Sequence, residues 1–167
     1  ASLVTAAVLD ATAVNNIGAG GALINTDVDT LTTDTTGNNG DQFLLENDGL
    51  TALNVNAGTG NVTLVTGGTV TDGDAAADVQ ATTLTATIIG DFGATGGGNN
   101  NIDTAVTNLN VETFGGTQWI DEVDGLTTIN LDAGAGNVIL VAGGAVEDND
   151  GANDITAVSA AITADGG

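Results

Sequence analysis

The chain has 167 residues and a formal net charge of −22, because it carries 22 Asp and Glu and no Lys, Arg or His. It also contains no Cys, Pro, Met or Tyr. This composition excludes Ser-His-Asp and Cys-His catalysis, and it excludes zinc sites built from nitrogen or sulfur ligands. Nucleic acid and anionic membrane surfaces are excluded as partners, since no cation is present to meet a phosphate. We therefore expect a protein that is not an enzyme.

The apolar residues are spaced for a folded core in spite of the charge. High net charge usually favours disorder, but 41% of the residues are apolar. Only three Phe and one Trp are present, so we expect thin aliphatic layers and not one large globular centre. No apolar run approaches about 18 residues, and we therefore expect no membrane-spanning segment.

Apolar and polar residues alternate in short segments that follow one another along the chain. Clear examples begin at Leu53, Val62, Leu84, Leu109 and Val138. Strict period-two alternation is typical of strands with one buried face. Clusters of Gly, Asn and Asp separate the segments and favour tight corners, because these residues tolerate positive φ. The pattern predicts short strands joined by sharp turns.

The sequence repeats at intervals of 76 to 80 residues. Gly49–Asp78 matches Gly125–Asp154 without a gap, 76 positions apart. We divide the chain into one solenoid segment with repeats at about 4–83 and 84–161 and the start of a third at 162–167. Close internal repetition predicts a stacked array. Because the chain opens and closes inside a repeat, we expect it to be a segment of something longer.

Short strands, tight corners and a repeat together predict a coil of parallel strands. We predict an all-β parallel β-helix, or β-solenoid, of about six or seven coils of roughly 22–30 residues, with three coils in each long repeat. At about 4.8 Å per coil it would form a rod about 30 Å long. The alternative is an antiparallel β-sandwich, which has similar short strands and turns. Sandwich strands do not usually repeat one another so closely in sequence.

Several phrases of the sequence are rich in aliphatic residues, Thr and Asn, namely IDTAVTNLNV at 102–111, DGLT at 124–127 and GNVTL at 60–64. They resemble filamentous-haemagglutinin-type repeats, which occur in large exported bacterial adhesins of the two-partner and autotransporter types. The resemblance covers most of the chain. It implies a right-handed β-helix that stands outside the bacterial cell as a stalk or fibre.

Two acidic loops are candidate Ca²⁺ sites. They share Asp at the first, third and seventh positions, as Asp72, Asp74 and Asp78 in one repeat and Asp148, Asp150 and Asp154 in the next. Ca²⁺ takes six to eight oxygen ligands, and carboxylates two residues apart around a turn can wrap one ion. Stacked carboxylates would also repel, and a divalent cation would relieve that repulsion. The alternative is that Asp and Gly only form solvated turns.

Other acidic and aromatic residues also recur between the repeats. A weaker candidate for a cation site combines two acidic segments, Glu46 and Asp48 with Asp121, Glu122 and Asp124. Phe43 and Trp119 occupy matching positions, which favours a role as inward plugs or as covers of a corner, and not as a ligand platform.

These patterns favour a non-catalytic structural segment of an extracellular fibre or adhesin stalk. Both ends carry apolar strand sequence without a polar cap, so we expect the partner to be a second copy, stacked head to tail, or the continuation of a longer chain. The alternative is a Ca²⁺-dependent adhesin module that grips a surface polysaccharide. A further alternative is a soluble acidic protein from a halophile.

Overall fold

The structure is a computed structural model that describes residues 2–74, 76–95 and 100–166. Ala75 of the first acidic loop and Gly167 of the partial third repeat lie outside the described residues. The strands are β1 (Leu3–Thr12), β2 (Ile24–Asp34), β3 (Gln42–Glu46), β4 (Ala52–Asn56), β5 (Asn61–Thr66), β6 (Val79–Ile88), β7 (Ile102–Thr113), β8 (Gln118–Glu122), β9 (Thr128–Asp132), β10 (Asn137–Ala142), β11 (Ile155–Thr156) and β12 (Ser159–Ala164). Within the described ranges there is no helix, and hence none able to cross a bilayer.

Every pairing between these strands is parallel, and the pairs form two ladders that the chain visits alternately. One in-register column of the first ladder is Ala11, Thr33, Val55, Val79, Thr104, Glu122, Ala142 and Ala164. The matching column of the second ladder is Leu3, Asn25, Leu45, Val65, Thr87, Glu112, Asp132 and Thr156. Eight positions in each column make about seven turns.

The parallel β-solenoid is confirmed, and the antiparallel sandwich is not formed. Turns range from 18 residues, between Ile102 and Ile120, to 25 residues, between Val79 and Thr104. Seven of the twelve strand pairings join residues 22–25 positions apart, within the predicted coil length, and the other five join residues 18–20 positions apart. The long strands β1, β2, β6 and β7 run from one ladder into the other and so contribute to both.

The sequence repeat and the structural turn do not coincide. Glu46 lies in the second ladder, whereas Glu122, its counterpart 76 residues later, lies in the first. Between β3 and β8 the chain passes through seven half-turns. One repeat therefore spans three and a half turns and not the predicted three, and equivalent residues of the two repeats lie on different ladders. The unit that the sequence repeats is therefore a set of seven half-turns.

Alternate side chains of both ladders form one aliphatic core. Leu44 and Leu64 of the second ladder and Leu31 and Leu140 of the first are fully buried. Each such side chain stabilises the fold by about 1.5–3 kcal/mol, and each contacts the turns before and after it. The abundant Val, Ile and Thr favour this pleated arrangement because their branched Cβ packs well between strands.

Phe43 and Trp119 cover corners, and the inward-plug alternative is wrong. They alternate with buried residues of β3 and β8 and are therefore half-buried on the outer face. Phe43 lies against Gly18 and Trp119 against Gly93, where an added Cβ would contact the aromatic residue. The fully buried aromatic residue is Phe92, at a corner that precedes β7.

Candidate carboxylate sites

Two glutamates are buried at equivalent positions of the two repeats. Glu46 is 0% exposed, and its Oε2 accepts a hydrogen bond of 2.5 Å from Thr26 Oγ1. Its Oε1 accepts a bond of 3.1 Å from the backbone N–H of Val28. A buried carboxylate is destabilising unless it is paired or hydrogen-bonded. Because the chain has no Lys, Arg or His, hydroxyl and amide donors take the place of a cation.

The environment of Glu122 reproduces that of Glu46. Thr104 Oγ1 donates to Glu122 Oε2 at 2.7 Å, and the N–H of Val106 lies 3.2 Å from both carboxylate oxygens. Burial raises the pKa of Glu122 to about 7, although the Thr104 hydroxyl opposes the shift. The two sites lie three and a half turns apart, so each repeat carries its own buried glutamate.

The fold separates the two acidic segments of the weaker candidate cation site. Glu46 and Asp48 each bring a carboxylate oxygen within 4.8 Å of the others in a triplet completed by Asp27. Sequence reasoning missed Asp27, although Thr26 pairs in register with Glu46 and so brings its neighbour close. Asp121, Glu122 and Asp124 lie far along the rod from this triplet. In the second repeat, Ala105 takes the position of Asp27, so the triplet is not repeated.

The second acidic loop brings its three predicted ligands together. Asp148, Asp150 and Asp154 each offer a carboxylate oxygen within 4.8 Å of the other two. The N–H of Asp150 donates to Asp148 Oδ1 at 3.0 Å, and the N–H of Ala152 donates to Asp150 Oδ1 at 2.7 Å. These bonds hold the turn. The loop arrangement can supply hard oxygen ligands to one cation.

The charges within the second loop act on one another. Partial burial, and then the negative charges of Asp148 and Asp150, raise the pKa of Asp154. Its Oδ1 is enclosed without a hydrogen-bond partner. By contrast, the backbone N–H groups of Asp150 and Gly151 lower the pKa of Asp148. The loop therefore combines a carboxylate of lowered pKa, on Asp148, with an oxygen of Asp154 that lacks a hydrogen-bond donor.

The first acidic loop has the same local turns but a different environment. The N–H of Asp74 donates to Asp72 Oδ2 at 2.6 Å, and the N–H of Ala76 donates to Asp74 Oδ1 at 2.7 Å. Asp72 and Asp78 are 6% and 2% exposed, whereas Asp148 is exposed. In the described part of the chain the three carboxylates do not converge as a triplet.

Strand β7 explains this difference, because it covers the end of the first loop. The N–H of Asp103 donates to Asp78 Oδ2 at 2.8 Å, and Asp103 pairs in register with Asp121. Burial, and then the charges of Asp72 and Asp103, raise the pKa of Asp78 to about 8, although the N–H of Asp103 opposes the shift. Burial and the charge of Asp121 raise the pKa of Asp103 to about 6. These shifts favour the protonated form of Asp78 at neutral pH.

Comparison of the chain with protein-family models, with curated proteins and with solved structures finds no match in any of the three. The geometry defines the class of protein as a parallel β-solenoid. The chemistry of its surfaces and ends is the basis on which a function can be proposed.

Proposed function

We propose that this chain is a non-catalytic structural rod, a segment of an extracellular fibre or adhesin stalk whose ends are continued by further parallel strands. The extracellular setting follows from the resemblance to filamentous-haemagglutinin-type repeats. The observation that carries the proposal is the open core at both ends. Leu9, Ala11 and Ala13 in the first turn, and Val146, Ile155 and Ala157 towards the last, are only partly buried against the core.

The end strands also have free edges. Among the described strands, β1 pairs only with β2, and β12 pairs only with β10. Val8 and Ile162 on these strands are 61% and 41% exposed. An unpaired edge with apolar side chains can accept another strand. Each turn of a solenoid is stabilised by contacts with its neighbouring turns. The end of one copy can therefore stack on the end of another through the same type of contact.

The experiment is a measurement of assembly by light scattering after size-exclusion chromatography. Copies with a charge of −22 repel, so the chain is studied in about 1 M NaCl, where the Debye length is about 3 Å. The wild type is expected to grow with concentration into rods of one width. Ile162→Lys should block growth at an edge, whereas Val123→Lys, at a 64% exposed corner position, should not.

Either of two results would overturn stacking between copies. One is a wild type that stays monomeric at every concentration in high salt. The other is an Ile162→Lys variant that assembles as the wild type does. Protease treatment of intact producing cells tests the extracellular setting, because a surface stalk is cleaved and an internal protein is not.

A second candidate function is Ca²⁺-dependent adhesion, which is favoured by the convergence of Asp148, Asp150 and Asp154 around the donor-free Oδ1 of Asp154. Calcium titration by calorimetry tests it. Extracellular modules bind Ca²⁺ at about 0.1–1 mM, and Asp150→Asn should weaken binding about tenfold. The matched control is Asp74→Asn in the first loop, which should leave Ca²⁺ affinity unchanged. Equal effects of both variants, or no binding by the wild type, would contradict this function.

A further inference from the structure

A polar groove crosses three neighbouring strands on the outer face of the second ladder. Its volume is about 320 Å³, within the range of small-ligand sites. Buried Ala86 and Val111 lie at its base. Its polar lining consists of Thr85, Thr87, Asn110, Glu112, Asn130 and Asp132.

The polar side chains form two in-register rows. Thr85 pairs with Asn110 and then Asn130, while Thr87 pairs with Glu112 and then Asp132. Successive members of each row are therefore separated by the strand spacing of about 4.8 Å. Hydroxyl and amide groups in such a row can donate and accept hydrogen bonds. A ligand with hydroxyl groups at regular intervals, such as an oligosaccharide, can bond to consecutive strands.

The two carboxylates of the second row favour a positively charged ligand in the groove. Glu112 and Asp132 are direct neighbours across β7 and β9, and the chain contains no Lys, Arg or His to neutralise them. An anionic glycan would add to this repulsion. An ammonium group between the two carboxylates would relieve it and would form charge-assisted hydrogen bonds, which are the stronger ones.

We propose that this groove binds a glycan that carries free amino groups, with its hydroxyls on Thr85, Asn110 and Asn130 and an ammonium between Glu112 and Asp132. This binding site goes beyond the structural role and is separate from the ends of the rod. A rod that fails to stack can still bind the glycan, so the two proposals fail independently.

The internal repeat supplies matched controls. Asn54 and Asp34 on the first ladder are the counterparts of Asn130 and Glu112, at offsets of 76 and 78 residues. The equivalent neighbour of Asp34 is Asn56, so the paired carboxylates of the groove are not repeated there. Asp34→Asn and Glu112→Gln change the net charge equally, which separates binding in the groove from general attraction to an acidic protein.

The test is calorimetric titration with a glucosamine hexamer, beside its fully N-acetylated form and a neutral glucose hexamer. We expect binding of the glucosamine hexamer to weaken about tenfold in Glu112→Gln and several-fold in Asn130→Ala, as loss of a hydrogen bond to a charged and to a neutral group would produce. Asp34→Asn and Asn54→Ala should bind as the wild type does. Circular dichroism melting confirms that each variant is folded.

Three outcomes would overturn the proposal. The first is that both groove variants bind the glucosamine hexamer with wild-type affinity, and the second is that the control variants lose as much affinity as the groove variants. The third is that the wild type binds the glucosamine and glucose hexamers with equal affinity. The last result would show that no ammonium is recognised.

Discussion

Asp78 and Asp103 are joined by two hydrogen bonds across neighbouring turns of the first ladder. The N–H of Asp78 donates to the carbonyl oxygen of Asp103 at 2.7 Å, and the N–H of Asp103 donates to Asp78 Oδ2 at 2.8 Å. The second bond brings an acidic side chain into a covered position beside Asp72, where no cation can reach it from this chain. Burial and the neighbouring carboxylates therefore favour the protonated form of Asp78 in the folded state.

This arrangement predicts that the protein is more stable in acid than at alkaline pH. An unfolded Asp titrates near 3.9, whereas the pKa of Asp78 in the fold is about 8 and those of Asp103 and Glu122 are about 6 and 7. The folded state binds more protons between these limits, so stability falls as pH rises from about 4 to about 8. We expect a loss on the order of a few kcal/mol, measured by urea unfolding at a series of pH values.

Asp78→Asn tests the source of that dependence. The amide stays neutral, so the variant should exceed the wild type in stability at pH 8 and match it near pH 4, with a flatter profile. Asp34→Asn is the control. Hydrogen bonds from Thr36 lower the pKa of Asp34, so this group contributes to the pH dependence of stability with the opposite sign. A wild type whose stability rises from pH 4 to pH 8 would contradict the assignment.

The buried glutamates predict equal effects in the two repeats. Thr104→Val removes the hydroxyl that donates to Glu122, and Thr26→Val removes the one that donates to Glu46. Each should lower the free energy of unfolding by about 1–3 kcal/mol, because a buried acceptor loses its partner. Chemical denaturation at pH 8 measures this, with exposed Thr107→Val as a control near zero. A large difference between Thr26→Val and Thr104→Val would show that the repeats are not energetically equivalent.

Close stacking of corners predicts that certain glycines resist substitution. A methyl group on Gly60 would lie 2.6 Å from the carbonyl oxygen of Gly40 and 2.7 Å from that of Asn39. Gly60→Ala should therefore lower stability by about 1–3 kcal/mol. Nothing lies within 4 Å of the equivalent point on Gly73, so Gly73→Ala should be close to neutral. Equal melting temperatures for the two variants would count against the tight packing of this corner.

Uniform negative charge predicts a response to simple salt. Self-repulsion in a chain of charge −22 destabilises the compact state, and added ions screen it. The melting temperature should rise steadily with NaCl, and millimolar Ca²⁺ should raise it further through the second acidic loop. Calorimetric scans in chelator, in Ca²⁺ and in high NaCl separate these effects. A melting temperature that does not change with NaCl would show that repulsion is not limiting.

The candidate sites could be predicted only in part. The spacing of Asp148, Asp150 and Asp154 was sufficient to predict that their carboxylates lie close together, because all three belong to one short loop whose turns they form themselves. The identical spacing in the first loop did not predict buried Asp72 and Asp78, since their burial depends on Asp103 in the following turn. Prediction of the outer groove also requires knowledge of the strand register, because the lining residues come from three strands.

Sequence patterns were enough to predict the parallel solenoid, its approximate number of turns and its aliphatic core. Period-two alternation specifies which face of a strand is buried, and close repetition specifies stacking, so both can be recognised without knowledge of tertiary contacts. Three features became visible only in the folded chain: one repeat spans three and a half turns, Glu46 and Glu122 are buried, and Asp27 lies beside Glu46. These depend on corner length, because one residue more or fewer in a turn changes which side chains of successive strands meet.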